Sequence, residues 1–221
     1  MRIAIFSDVH GNLPALEAAL GDMGSVDALL CCGDLVGYYP DVSEVVDRVR
    51  GLGALVVRGN HELMATGAIE VPSERAGYYC VAGTRRALSE KQLAWLRTLP
   101  GELELLRDGL AIQVRHASPW DEETYLYPDS SRLAGLALPE GRWLFLGHTH
   151  YPMHVRAGAG HVVNPGSVGQ PRDRDPRAAY GVLDTASAAW EQRRVGYDHA
   201  GYQRRLERMG VDPRAVALLG R

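Results

Sequence analysis

Five short stretches carry carboxylates, amides and imidazoles at spacings that suit a shared cation. The first, Ser7-Asp8-Val9-His10-Gly11-Asn12, follows the apolar run Ile3-Ala4-Ile5-Phe6. On an extended segment alternate side chains point the same way, so Asp8 and His10 are expected to share one ion at a strand's end. An Asp just after a strand is also a common helix N-cap, and alone the pattern says little. It gains weight by recurring as Gly33-Asp34, Gly59-Asn60-His61-Glu62, Arg115-His116-Ala117 and Gly147-His148-Thr149-His150. Two histidines one residue apart are poorly explained as core, whereas each imidazole of such a pair can bind a separate ion of a close pair.

Spacing then points to the elements that must carry these groups. Asp8, Asp34 and Asn60 are evenly placed, 34 − 8 and 60 − 34 both being 26, which is about one helix, one strand and two short loops. Residues 2 to 60 read as βαβαβ: strands at Ile3 to Phe6, Val26 to Cys32 and Ala54 to Val57, a helix from Leu13 to Met23, and another opened by Asp41-Val42-Ser43-Glu44. Such alternation predicts a parallel, buried sheet with functional groups at the carboxyl ends of its strands. The glycines before Asp34 and Asn60 are expected to permit sharp turns.

From Leu63 to Pro100 the pattern is helical. Ser73 is expected to cap a segment reaching Leu88, and Ser89-Glu90-Lys91-Gln92 has the form of a capping box. This region reads as packing around the sheet, with Tyr78 or Tyr79 lining the cleft. Leu103 to Leu106 and Leu110 to Val114 read as a hairpin turned by Asp108-Gly109, a helix is expected from Asp129 to Leu136, and Trp143 to Leu146 form a strand. Met153 to Arg156, His161 to Val163, Ala178 to Leu183 and Ala188 to Val195 read as one antiparallel layer containing the tight turn Asn164-Pro165-Gly166-Ser167-Val168-Gly169, and two helical pieces, His199 to Met209 and Pro213 to Leu219, follow. His154, His161 and His199 have no partner at ligand spacing.

With 221 residues the chain suits one domain over 1–221. A net charge of −3 excludes a general nucleic-acid or membrane-surface binder. No stretch has the ~18 apolar residues that span a bilayer, and three cysteines without paired spacing suggest reduced, inert thiols. A cytoplasmic protein is expected. The sequence carries no signal for oligomeric state.

In this order, Asp8-x-His10, Gly33-Asp34, Gly59-Asn60-His61-Glu62, His116 and Gly147-His148-x-His150 resemble the motifs of the calcineurin-like metallophosphoesterases, and the Asn-Pro-Gly-Ser turn is similar to that of the small bacterial phosphodiesterase branch. The resemblance implies an α/β fold of four αββα layers, a βαβαβ half with parallel strands facing a mixed or antiparallel second sheet. It implies Asp8, His10, Asp34 and His150 on one metal, and Asn60, His116 and His148 with the bridging Asp34 on the other. His61 would contact the substrate or protonate the leaving oxygen. Ala117 stands where many relatives carry glycine.

In this resemblance, two divalent ions about 3.5–4 Å apart need a bridging carboxylate and a bridging hydroxide between them, and water so held ionises near pH ~7 and attacks phosphorus in line. Mixed ligands suit Mn, Fe, Co, Ni or Zn, with manganese the working choice. Two such ions, less one charge each for Asp8, Asp34 and the hydroxide, leave about +1, which a phosphodiester anion neutralises. A monoester dianion needs another cation; Arg172 or Arg174 is positioned in sequence to supply one, although solvated loop charges are the preferred reading and only Arg172 is kept as a substrate-binding candidate beside Asn60 and His61. The expected function is hydrolysis of phosphodiesters in small nucleotide-like substrates. The alternatives are a phosphomonoesterase or protein phosphatase, a dinucleoside polyphosphate hydrolase, and a scaffold that has lost chemistry.

Overall fold

The computed structural model describes residues 1–220. Among these residues ten strands form two mixed five-stranded sheets that face each other. In the first, β1 (Arg2–Phe6) pairs in parallel with β2 (Ala28–Cys31), and β2 with β3 (Leu55–Val56). The connecting helices are α1 (Leu13–Met23) and α2 (Val42–Gly51), as the sequence periodicity requires. The second sheet is built from β4 (Glu102–Arg107), β5 (Leu110–Arg115), β6 (Arg142–Phe145), β7 (Met153–Ala157) and β8 (Gly160–Asn164), in the order β4-β5-β6-β8-β7.

The four C-terminal strands do not form one layer. While β7 and β8 join the second sheet, β9 (Ala178–Asp184) pairs antiparallel with β1 and β10 (Ala189–Val195) with β9, so the first sheet is itself mixed. Burial explains the placement: every residue of β9 up to Leu183 is buried. Such a strand needs cover on both faces, which a central position supplies. The apolar layer between the sheets contains Ile3, Ile5, Leu30 and Val57 from one side and Ile112, Val114, Trp143 and Phe145 from the other. On the outer face of the first sheet α1 and α2 bury Leu16, Ala19, Val45 and Val49. The second sheet's outer face is covered more thinly, by Leu126 and Leu133 over Leu144 and Met153.

The helical region differs in detail from expectation. One helix, α3 (Asn60–Thr66), starts at Asn60 itself. The segment expected from Ser73 to Leu88 is broken into α4 (Ser73–Ala76) and α5 (Val81–Ala87), because Cys80 between them adopts left-handed φ 54°. The capping box at α6 (Glu90–Thr98) is present, with Ser89 Oγ accepting from Gln92 N at 3.3 Å. Ser89→Ala is therefore expected to cost about 1 kcal/mol, read as a melting temperature about 2–4 °C lower. The helix expected from Asp129 to Leu136 shrinks to α7 (Ser131–Ala134). At the C-terminal end, α8 (His199–Arg208) and α9 (Pro213–Val216) pack Tyr202, Leu206, Ala215 and Val216 against Tyr38 and Tyr39. Among the described residues no helix is long and apolar enough to cross a membrane.

Candidate metal centre

The site groups gather where β1, β2, β5 and β6 end, but by a different local device from strand alternation. β1 stops at Phe6 and β6 at Phe145. Asp8, His10, Asp34, His148 and His150 then all take left-handed backbone, with φ between 51° and 67°. Non-glycine residues at positive φ cost about 1 kcal/mol or more each and persist where their surroundings enforce them. Enforcement is visible: Asp8 N donates to Gly33 O, His10 N to Asp34 O and Gly169 N to Asp8 O. Gly33 makes the expected sharp turn at φ +97°, whereas Gly59 does not; a Cβ there would lie 2.2 Å from Asp34 Oδ1, so close approach is its role.

The Asn164-Pro165-Gly166-Ser167 turn proves to be a brace for this loop cluster. Asn164 Nδ2 donates to Gly147 O at 2.6 Å and to Thr149 Oγ1 at 3.0 Å, and Ser167 Oγ donates to Asp8 O at 2.6 Å. Glu62 is a second brace. Its buried carboxylate accepts from Gly59 N, Asp34 N, Leu35 N and Val36 N at 2.7, 2.9, 2.8 and 3.3 Å. Burial first and the Asp34 charge second push its pKa up to about 7 against the pull of those donors. The sequence motif gives Glu62 no ligand role; its position three residues into the helix after Gly59, where a carboxylate reaches back to the helix's first N–H groups, is the signal for this brace.

Four ring orientations are fixed by carbonyls. A carbonyl only accepts, so His10 Nδ1 donates to Val36 O (2.9 Å), His116 Nδ1 to Cys32 O (2.7 Å), His150 Nδ1 to Gln170 O (2.7 Å) and His148 Nε2 to Glu123 O (3.2 Å). The other nitrogen of each neutral ring then presents a lone pair inward. His10 Nε2 and His150 Nε2 face each other at 3.1 Å, with Asp8 Oδ1 at 3.8 and 3.3 Å from them. Asn60 Oδ1 lies 3.0 Å from His116 Nε2 and 3.1 Å from His148 Nδ1. Asp34 Oδ2 stands between, 3.7 Å from His10 Nε2 and 3.3 Å from His116 Nε2.

Lone pairs confronted in this way repel unless a cation sits among them, and imidazole, carboxylate and amide oxygen are ligands that divalent ions accept. One donor atom per residue brings together Asp8, His10 and His150; His10, Asp34 and His61; and Asp34, His116 and His148, each group within 4.8 Å. The seven residues expected from sequence thus converge, and His61, read as an outer contact, also comes within ligand reach. Burial lowers the pKa of His10, His148 (to about 3) and His61 (to about 4), keeping these rings neutral. For His116 burial works against charge, but the adjacent Asp34 carboxylate overrides it and lifts the ring to about 10, so its Nε2 points a proton at Asp34 and presents a lone pair only when a cation replaces that proton. Asp8 and Asp34 stay well below the usual carboxylate range: burial opposes their ionisation, and the neighbouring histidines more than compensate.

Around the centre stand aromatic rings. Tyr38 is edge-on to His10 at 4.7 Å and tilted to His61 at 4.9 Å, and Tyr79 lies 5.0 Å from His61. Tyr78 reaches Tyr38 at 5.2 Å, so both helical-region tyrosines approach the cleft while Leu88, Leu93 and Leu96 pack into the core. Across from them Tyr125 covers His148 at 4.0 Å, and the half-exposed Tyr127 lies 6.3 Å from Tyr125. A cleft beside Asn60 is framed by Leu63, Ile69 and residues 121–124. His154 and His161, left unpartnered by spacing, meet across β7 and β8 at 2.9 Å, far along the second sheet.

A sequence model of the calcineurin-like phosphoesterase superfamily domain matches residues 1–188. The chain is 32% identical over 216 residues to an uncharacterized protein of Methanocaldococcus jannaschii, with 89% of this chain and 88% of that protein covered. It is 27% identical over 198 residues to the phosphodiesterase YfcE of Escherichia coli, with 83% and 88% covered. Among solved structures it resembles a metallophosphoesterase from Sphaerobacter thermophilus at TM-score 0.84 and 33% identity, covering 99% of this chain and 98% of that one.

Proposed function

Since the chain belongs to the calcineurin-like phosphoesterase superfamily, we propose that it hydrolyses phosphodiester bonds in small nucleotide-like substrates with two divalent ions. Asp8, His10, Asp34 and His150 would hold one ion, and Asp34, Asn60, His116 and His148 the other, with manganese the first choice of metal. The observation that carries this reading is the inward convergence of lone pairs whose opposite ring nitrogens are tied to carbonyls. When bound, such a pair supplies a water activated near neutral pH and positive charge for the phosphoryl oxygens.

The chain's own side chains do the rest. Asn60 and His61 orient the substrate's phosphoryl group, and the His61 ring, kept neutral by burial, hydrogen-bonds the leaving oxygen. The flanking Tyr78, Tyr79, Tyr125 and Tyr127 offer ring faces suited to a base. His61→Ala is expected to leave metal content intact while lowering kcat by about 10²-fold. Loss of metal in that variant would move His61 into the ligand set, beside His10 and Asp34.

The function is tested by stripping the protein with a chelator and measuring hydrolysis of bis-p-nitrophenyl phosphate and p-nitrophenyl phosphate with and without added Mn²⁺. Manganese-dependent cleavage of the diester is the expected result. Preference for the monoester would favour the phosphomonoesterase reading, and failure on both substrates with two ions bound would favour a scaffold.

A further inference from the structure

Among the described residues no carboxylate pairs with the Arg172 guanidinium. Its Nη2 donates to Gln170 Oε1 at 2.8 Å and to the Tyr38 hydroxyl at 3.2 Å, both neutral acceptors. Its Nε is buried with no partner. Neighbouring carboxylates are taken by other cations: Asp173 pairs with Arg194, and Asp175 with Arg177 and Arg194. Arg174, by contrast, is exposed at φ 69° and reads as a solvated charge, as expected from sequence.

Its position ties Arg172 to the metal centre by two routes. Arg172 N donates to His150 O at 3.3 Å, and the preceding Gln170 carbonyl fixes the His150 ring. The Tyr38 ring it bonds lies against both His10 and His61. A half-buried guanidinium held by neutral groups is costly unless an anion completes it. Its fork geometry matches two oxygens of a phosphate.

We propose that Arg172 selects substrates carrying a second negative charge at or next to the scissile phosphorus, an inference that rests on the phosphoesterase reading and narrows its substrate class. With Arg172 the site's charge rises from about +1 to about +2, which a dianionic phosphoryl group neutralises and a simple diester does not. Two sources share that chemistry: the terminal phosphate of a monoester, and a neighbouring phosphate in a polyphosphate diester.

The test is calorimetric binding of orthophosphate to the manganese-loaded protein, wild type against Arg172→Gln, with steady-state kinetics beside it. Arg172→Gln is expected to weaken orthophosphate binding by about 10-fold or more. KM for p-nitrophenyl phosphate or for a dinucleoside tetraphosphate should rise in parallel, and by several-fold more than KM for bis-p-nitrophenyl phosphate. A rise confined to the monoester assigns Arg172 to the transferred phosphoryl group; one confined to the tetraphosphate assigns it to the neighbouring phosphate. Arg172→Lys keeps the charge without the fork and should recover only part of the orthophosphate affinity lost in Arg172→Gln, a recovery that a purely packing role would not give. Unchanged orthophosphate affinity in Arg172→Gln, or equal KM rises for monoester and simple diester, would overturn the proposal. A wild-type protein that binds orthophosphate through Arg172 yet cleaves no phosphoester would instead remove the function and leave the anion site standing.

Discussion

Asp34→Asn is expected to lose at least one of the two proposed ions and about 10³-fold or more in kcat/KM. One oxygen, Oδ2, is close to both histidine groups, at 3.7 Å from His10 Nε2 and 3.3 Å from His116 Nε2. A unit charge about 4 Å from another in a surface-like dielectric is worth about 4 kcal/mol, and 4 kcal/mol is about 10³ in rate. Asparagine preserves shape and can still accept from His61 N, which lies 2.9 Å from Oδ1, so the fold should survive. Metal analysis of the dialysed variant with kinetics on added Mn²⁺ checks this. Two ions retained with near-normal turnover would remove Asp34 from the bridging position.

The second large effect is expected at Glu62, through stability as well as activity. Four backbone N–H groups converge on its carboxylate, three of them from the Asp34–Val36 segment. Glu62→Ala leaves those donors buried and unmet, and each unmet donor costs about 1–3 kcal/mol. Because they share one small space their costs overlap, and a net loss of about 3–5 kcal/mol follows. In a chain of this size that is a melting temperature lower by about 10 °C. Activity should fall further than the residual folded fraction accounts for, since the freed segment carries Asp34. A shift under about 2 °C would show that water or local rearrangement satisfies the donors.

The identity of the converging residues was legible because their types are chemically scarce and their phase is regular: Asp8, Asp34 and Asn60 recur with the βα unit. The manner of convergence was not. Alternation along a strand would have aligned Asp8 with His10, yet both sit beyond β1 in left-handed backbone, a conformation set by long-range bonds to Gly33, Asp34 and Gly169 that no local propensity records. The two-strand addition of β9 and β10 to the first sheet escaped for a related reason, since a strand's own residues carry no label for its partner. Asp41 opens α2 as expected but makes no side-chain cap bond; Tyr202 and Arg205, 161 and 164 residues away, hold its carboxylate. Arg172 could not be separated from a solvated loop charge in the sequence, because only the folded contacts show the nearby Asp173 and Asp175 taken by other arginines and its own Nη2 on Gln170 and Tyr38.

The seating of β1 against β9 governs when the centre can exist during synthesis. Ile3 pairs with Leu183 and Ala4 with Val182, so the strand that leads into Asp8 waits through most of translation for one of its two neighbours. The turn at Asn164 to Ser167 that braces the Asp8 and Gly147 loops is made late as well. Until then the nascent chain exposes Asp8, His10 and Asp34 on unbraced loops, and pairing across so long a separation is intrinsically slow. Any metal held at the proposed site would therefore be taken up only after β9 and this turn are in place, since the newly made chain passes through a stage in which Asp8, His10 and Asp34 are present but have nothing to hold them in position.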